Sequence, residues 1–176
     1  MAENFVLKGN ICYSQDSRTL ICVEQGYLVC TDGKSAGVYK ELPQMYAGFP
    51  LTDYGDRLIV PGLTDLHLHA PQYSFRGLGM DLELLEWLNT RTFPEEAKYS
   101  DMEYAGKAYT IFAENMKHSA TTRACIFATM HREATELLMD LMEETGLKTM
   151  VGNTHSVHDR LPCRCPRFRR REDRGW

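Results

Sequence analysis

The feature that most constrains the fold is a change of rhythm near Leu58. Before it, the chain holds short apolar stretches rich in β-branched and aromatic residues and separated by glycines, a pattern typical of β-strands. After it, β-like stretches beginning at Leu58, Thr121 and Leu147 alternate with segments of helical periodicity. This alternation predicts an α/β fold, with a parallel sheet and crossover helices behind a small all-β segment.

Within the all-β segment, three short strands are predicted over FVLKGNICY, TLICVE and GYLVC, with a hairpin turn at TDGK. Further along, three helices are predicted. The first carries Leu82, Leu85 and Leu88 at helical spacing. The second begins at a capping box formed by Ser100 and Glu103. The apolar stripe of the second helix comprises Met102, Ala105, Tyr109, Phe112 and Met116. The third helix presents one apolar face and ends at Gly146. That face comprises Leu137, Leu138, Leu141 and Met142.

Charge is distributed unevenly along the chain. The 176 residues carry a net charge of −4, but residues 1–152 hold 13 basic against 21 acidic side chains, and residues 153–176 hold seven arginines against three acids. We therefore divide the chain into an all-β segment (1–57), a β/α segment (58–152) and an arginine-rich irregular tail (153–176). An acidic body does not favour nucleic acid as a partner.

The location is predicted from features that the sequence lacks. No apolar run is long enough to span a membrane, and the first residues do not resemble a secretory signal. The six cysteines are scattered and include no Cys-x-x-Cys pair, so we expect reduced thiols and a cytoplasmic location.

Two histidines, His67 and His69, end the stretch that begins at Leu58. Residues i and i+2 of a strand point to the same face, so both rings are expected to approach one another at the carboxyl end of the strand. Imidazole is a normal zinc ligand, and Asp65 is placed to orient one of the rings. Spacing alone leaves two interpretations open: a metal site, or two histidines that form hydrogen bonds in a loop.

Three longer motifs carry a resemblance to a known family. They are PGLTDLHLHAPQYSF, LLEWLNTRTFPEE and TTRACIFATMH, in this order. Together they resemble the guanine deaminase family of the amidohydrolase superfamily. The resemblance implies an N-terminal β-sandwich piece followed by the first part of a TIM-type (β/α)8 metal-dependent hydrolase barrel. It also implies zinc-dependent hydrolysis of guanine to xanthine and ammonia, and a homodimer for the complete family protein.

The resemblance also assigns roles to individual residues. It implies that His67 and His69 are metal ligands and that Gln72 binds the purine, through an amide that offers both a donor and an acceptor. His69, Ala70 and Pro71 are expected in the same substrate-binding loop. No residue of this chain is expected to act as the catalytic acid or base.

Three other side chains have alternative interpretations. Trp87 is either a pocket wall or part of the core, and the core is favoured because an aromatic on the apolar face of a helix is usually buried there. His131 is expected at the mouth of the barrel without binding metal. His118 is expected to interact with the carboxyl end of its helix.

The chain also departs from the family pattern. The 95 residues from Leu58 to Gly152 suffice for about three of eight barrel strands. The later strands, which the resemblance implies carry further ligands and a proton shuttle, are not matched, so a truncated or frameshifted product that is inactive alone is expected. The alternatives are a catalytically dead remnant, a module that binds an acidic partner through its basic tail, and a related amidohydrolase acting on another heterocycle. Four tail residues could together provide tetrahedral zinc ligands, but their spacing fits no common zinc motif. They are His155, His158, Cys163 and Cys165.

Overall fold

A computed structural model describes residues 4–153, which belong to two compact units that divide between Leu63 and Thr64. The first unit is a four-stranded sheet. Its strands are β1 (Phe5–Ser14), β2 (Leu20–Thr31), β3 (Lys34–Tyr39) and β4 (Leu51–Ile59). Their order in the sheet is β3-β2-β1-β4. The pairs β1–β2 and β2–β3 are antiparallel, whereas β1–β4 is parallel.

The second strand is longer than the sequence pattern predicted. The stretches TLICVE and GYLVC form one strand, because the irregularity between them is a bulge and not a turn. At the bulge, Gln25 adopts a φ of 48°, and its backbone N–H donates to the side-chain oxygen of Asn10. The predicted turn at TDGK is present: Asp32 and Gly33 both have positive φ, as a tight two-residue hairpin requires.

The strand expected from Leu58 is divided between the two units. Leu58 and Ile59 end β4, where they pair with Asn10 and Ile11 of β1. The strand that carries the histidines, β5, begins at Leu63 and ends at His69. The Pro-Gly pair at 61–62 separates the two strands, because proline has no N–H to continue a ladder and fixes its own φ.

In the second unit, strands and helices alternate, which confirms the expected α/β class. The elements after β5 are α1 (Leu84–Trp87), α2 (Phe93–Ala97), α3 (Met102–Lys117), β6 (Thr121–Ala128), α4 (Arg132–Glu144) and β7 (Lys148–Asn153). The sheet order is β5-β6-β7, and β6 and β7 are parallel. A 3-10 helix over Ala70–Phe75 follows β5 directly.

The helical segment after residue 83 changes its winding before Pro94. One wide π-helical turn, Leu88–Thr92, separates α1 from α2. Because Pro94 has no N–H, the carbonyl of Thr90 lacks its usual α-helical donor, which accounts for the wider turn. The predicted apolar face is only partly covered: Leu82 and Leu88 are half-buried, whereas Leu85 is 72% exposed.

The long helix α3 is capped one residue later than expected. Asp101 is the N-cap, and its carboxylate accepts a hydrogen bond of 2.9 Å from the N–H of Glu103. The capping box expected from Ser100 is therefore wrong. Ser100 ends a 3-10 turn, and its hydroxyl donates to the carbonyl of Ala97.

The core of the second unit lies between the two long helices and the sheet. α3 contributes Ala105, Tyr109, Phe112, Ala113 and Met116, and α4 contributes Ala134, Leu138 and Met142. These residues include four of the five members of the predicted α3 stripe, and Leu137 and Leu141 pack against the same cluster. The expected cap at Gly146 is confirmed by its φ of 75°. Within residues 4–153, no helix is both long and apolar enough to cross a membrane.

Candidate metal and substrate site

The two histidines lie at the carboxyl end of β5 and face one another. The Nε2 atoms of His67 and His69 are 3.2 Å apart, and the ring centroids are 4.9 Å apart. The expectation that both rings approach each other is thus confirmed. The carboxylate of Asp65 accepts a 3.0 Å hydrogen bond from the backbone N–H of His67.

A phenylalanine from the neighbouring strand supports both rings. Phe127 of β6 lies 4.9 Å from the centroid of His67 and 5.0 Å from that of His69. The His69 ring is stacked on it, with 19° between the planes. Phe127 was not identified from the sequence, although its place near the carboxyl end of β6 is a usable signal, because adjacent parallel strands bring those ends together.

The side chain of His69 is partly buried. Burial, and secondly the nearby charge of His67, lower the pKa of His69 below its ordinary value, which favours the neutral ring that a metal requires. Its Nδ1 atom is buried and has no hydrogen-bond partner within residues 4–153.

Gln72 is half-buried in the 3-10 helix that follows β5, and its side chain is hydrogen-bonded to Glu96. An ionised carboxylate only accepts hydrogen bonds, so the amide NH2 of Gln72 is the donor. This contact directs the amide NH2 of Gln72 toward Glu96. Glu96 was not identified from the sequence.

Ala70 and Pro71 begin the 3-10 helix that follows β5. Both are buried, and Ala70 belongs to the hydrophobic core. The Pro71 carbonyl accepts a hydrogen bond of 3.2 Å from the hydroxyl of the buried Tyr99. These residues therefore fix the loop that displays Gln72.

A second acidic residue anchors the same loop from the helical side. Glu95 accepts hydrogen bonds from the hydroxyl of Ser74, at 2.8 Å, and from that of Tyr104, and it forms an ion pair of 2.6 Å with Lys98. The adjacent acids of the TFPEE motif thus have separate tasks. Glu95 ties the loop to α3, and Glu96 holds the amide of Gln72.

The sequence comparisons agree with this geometry. The model of the Amidohydrolase family matches residues 58–173, which is more than half of the chain. The chain belongs to the amidohydrolase family. The chain is also similar to the guanine deaminases of Homo sapiens (43% identical over 104 residues) and Dictyostelium discoideum (41% over 100 residues). These alignments cover 58% and 57% of this chain but only 23% and 22% of the two relatives.

The structural comparison points to the same group of amidohydrolases. The crystal structure of guanine deaminase from C. acetobutylicum, which has guanine bound in its active site, superposes with a TM-score of 0.79 and is 40% identical. The match covers 85% of this chain and 36% of that one. The chain thus spans about a fifth to a third of the length of the relatives it matches.

The histidine pair of this amidohydrolase suits a zinc ion in chemistry and spacing. Two nitrogens about 2.0–2.1 Å from a tetrahedral zinc are separated by about 3.3 Å, close to the observed 3.2 Å. The same distance also suits a hydrogen bond between the two rings. A catalytic zinc site uses about three protein ligands, and no cluster of three or more His, Cys, Asp or Glu residues that could hold a metal occurs within residues 4–153. Within residues 4–153, the pair is thus a candidate for two of these positions.

Three further residues were considered from the sequence: Trp87, His131 and His118. Trp87 is half-buried, packs against Phe75 at 5.6 Å and donates from its indole to the carbonyl of Leu78. His131 is the N-cap residue of α4 and is half-buried. His118 ends α3 with its Nδ1 2.8 Å from the carbonyl oxygen of Glu114, as expected for a partner of the helix end. The candidate site at His155, His158, Cys163 and Cys165 lies outside the described residues.

Proposed function

We propose that this chain forms the β5 side of the active site of a zinc-dependent guanine deaminase, which hydrolyses guanine to xanthine and ammonia. The single observation that supports this best is the 3.2 Å approach of His67 and His69 beside a glutamine whose amide direction is fixed. The proposal includes the finer architecture: an N-terminal β-sandwich segment followed by the first strands and helices of a (β/α)8 barrel, of which this chain carries part.

In the proposed reaction, the bond from a purine carbon to its exocyclic amine is replaced by a bond to oxygen. Water adds to the carbon that bears the exocyclic amine, the C–N bond breaks, and ammonia leaves with the proton that water gives up. A zinc ion supplies a nucleophile at neutral pH by lowering the pKa of its water. His67 and His69 would hold that ion through their Nε2 atoms, with Phe127 limiting the rotation of both rings.

Gln72 would orient the base. Its carbonyl oxygen and remaining N–H match a purine edge that presents one donor and one acceptor. Because Glu96 accepts from the amide, a flip of the amide would place its oxygen against a carboxylate, which is repulsive. The base is therefore held in one orientation. We keep His69, Ala70 and Pro71 in the proposed substrate-binding loop with Gln72.

The experiment that tests this function replaces the matching segment of the C. acetobutylicum guanine deaminase with residues 4–153 of this chain. We expect release of xanthine from guanine, lost in His67→Ala and in Gln72→Ala and kept in the matched control His118→Ala. A folded chimera that hydrolyses another heterocycle in preference to guanine would redirect the assignment. A folded, zinc-loaded chimera without any turnover would contradict it.

The proposal also concerns the setting of the complete protein. The resemblance supports a homodimer and a role in guanine catabolism, and the scattered cysteines without a Cys-x-x-Cys pair are the basis for proposing a cytoplasmic location. Sedimentation of the complete protein and imaging of a fluorescent fusion test the first and the last of these.

A further inference from the structure

Two cysteines face each other across the first sheet, in a unit that contributes none of the site residues described above. Cys12 of β1 and Cys22 of β2 are direct partners in the antiparallel register. Their sulfur atoms are 3.1 Å apart, close enough for a thiol–thiol hydrogen bond. Neither cysteine is in a disulfide.

The backbone already meets the requirements of a cross-strand disulfide. Directly opposed residues of an antiparallel pair have Cα atoms about 4.5–5.5 Å apart, which lies within the range that disulfides span. A sulfur–sulfur bond of about 2.05 Å requires the two atoms to approach by roughly 1 Å. Side-chain torsions can supply this movement, so the strand register need not change.

The two thiols differ in access. Cys22 is exposed and Cys12 is half-buried, so a reagent in solution meets Cys22 first. The hydrogen bond with Cys22, and secondly burial, raise the pKa of Cys12. Cys30, on the same strand, is buried and pairs with Phe5 in the register, which sets it apart from the pair.

We propose that Cys12 and Cys22 are a site of reversible disulfide formation, with a low-molecular-weight disulfide such as oxidised glutathione as the co-reactant. The Cys22 thiolate attacks one sulfur of glutathione disulfide, a mixed disulfide forms, and one glutathione thiolate leaves. The Cys12 thiolate then attacks the Cys22 sulfur, and the second glutathione thiolate leaves. The protein loses two protons and two electrons, and one glutathione disulfide becomes two glutathione thiols.

The test treats the full chain with oxidised glutathione, blocks the remaining thiols and maps the products with trypsin without reduction. Cleavage after Lys8, Arg18 and Lys34 separates Cys12, in peptide 9–18, from Cys22, in peptide 19–34. We expect these two peptides to be linked, with a mass two hydrogens below the sum of the peptides when peptide 19–34 carries one blocking group on Cys30. Added dithiothreitol should release them.

Variants assign the bond to the proposed sulfurs. Cys12→Ser should stop at a stable mixed disulfide on Cys22, and Cys22→Ser should abolish the link. Cys125→Ser, in the second unit, is the matched control and should leave the link unchanged. Stable glutathionylation of the folded wild-type chain with no link between 9–18 and 19–34 would overturn the proposal, as would a link that persists in Cys22→Ser.

Discussion

The ring of His69 stacks on the ring of Phe127, with 5.0 Å between centroids and 19° between planes. His69 lies on β5 and Phe127 on the neighbouring strand β6. The proposed ligand His69 is therefore positioned by a residue from a different strand. A group that orients a metal ligand typically contributes about 10–100-fold to metal affinity. We expect Phe127→Ala to weaken zinc binding by about tenfold, and Phe127→Leu to weaken it less because an apolar wall remains. Competition with a chromogenic chelator measures both, and equal affinities in a folded Phe127→Ala variant would contradict the supporting role.

The ligands themselves should matter more. Four-ligand zinc sites bind with about 10–16 kcal/mol, or roughly 3 kcal/mol per ligand, which corresponds to about a hundredfold in affinity. His67→Ala and His69→Ala should each reduce zinc affinity of the 176-residue chain by about this factor, measured by calorimetry. His118→Ala, at the exposed end of α3, is the control. If all three variants bind zinc equally, the ion is held elsewhere.

Glu95 and Glu96 should respond to pH in opposite directions. Burial raises the pKa of Glu96, and the hydrogen bond from Gln72 offsets this only in part. Burial also acts to raise the pKa of Glu95, but hydrogen bonds from Lys98, Tyr104 and Ser74 together lower it. The folded state therefore binds the Glu96 proton more tightly than the unfolded chain does, and the Glu95 proton less tightly.

Substitution of the two glutamates should therefore change the free energy of unfolding in opposite directions. Above the ordinary value of 4.5, ionised Glu96 destabilises the fold, so Glu96→Gln should raise the free energy of unfolding at neutral pH. Glu95 stabilises the fold above 4.5 and loses this contribution as pH falls through its lowered pKa, so Glu95→Gln should lower that free energy. Urea unfolding from pH 4 to pH 7 measures both, and substitutions that shift stability in the same direction would refute the assignment.

The cap of α3 gives a direct comparison of adjacent residues. Removal of an N-cap side chain typically costs about 1 kcal/mol, because a backbone N–H loses its acceptor. Asp101→Ala should therefore lower the free energy of unfolding by about 1 kcal/mol. Ser100→Ala loses only a hydroxyl donor to a carbonyl on the surface and should cost less. A larger loss in Ser100→Ala would restore the capping box that the sequence pattern predicted.

Substitution of two leucines should affect stability differently, because one side chain is buried and the other is exposed. Leu138 is fully buried between α4 and the core, whereas Leu85 of α1 is 72% exposed. Replacement of a buried leucine by alanine typically costs about 2–5 kcal/mol, and we expect Leu138→Ala to fall in this range. Leu85→Ala should change stability by less than about 0.5 kcal/mol. Similar effects of both in urea unfolding would show that the exposed face of α1 is covered in solution.

The sequence predicted well those features that depend on local periodicity. The apolar stripe of α3 and the glycine that ends α4 follow from the 3.6-residue repeat and from a positive φ. The approach of His67 and His69 follows from the two-residue repeat of a strand. None of these needs knowledge of a distant segment.

The features that escaped prediction depend on distant or competing contacts. Leu58 belongs to β4, where it pairs with Asn10. Asn10 is distant in sequence, so no local pattern predicts this pairing. Asp101 and not Ser100 caps α3, because Ser100 is the last residue of a 3-10 turn. Phe127 and Glu96 reach the site only after β6 and α2 fold against the loop.

In the first sheet, β1 lies between β2 and β4, so β1 needs partners from two later stages of synthesis. β2 follows it almost at once, but β4 is complete only when Ile59 has emerged. During that interval the hairpin of β1 and β2 presents an open edge, and open edges are where nascent chains associate. The pace of translation over residues 32–59 therefore sets how long this sheet is exposed to its neighbours on the polysome.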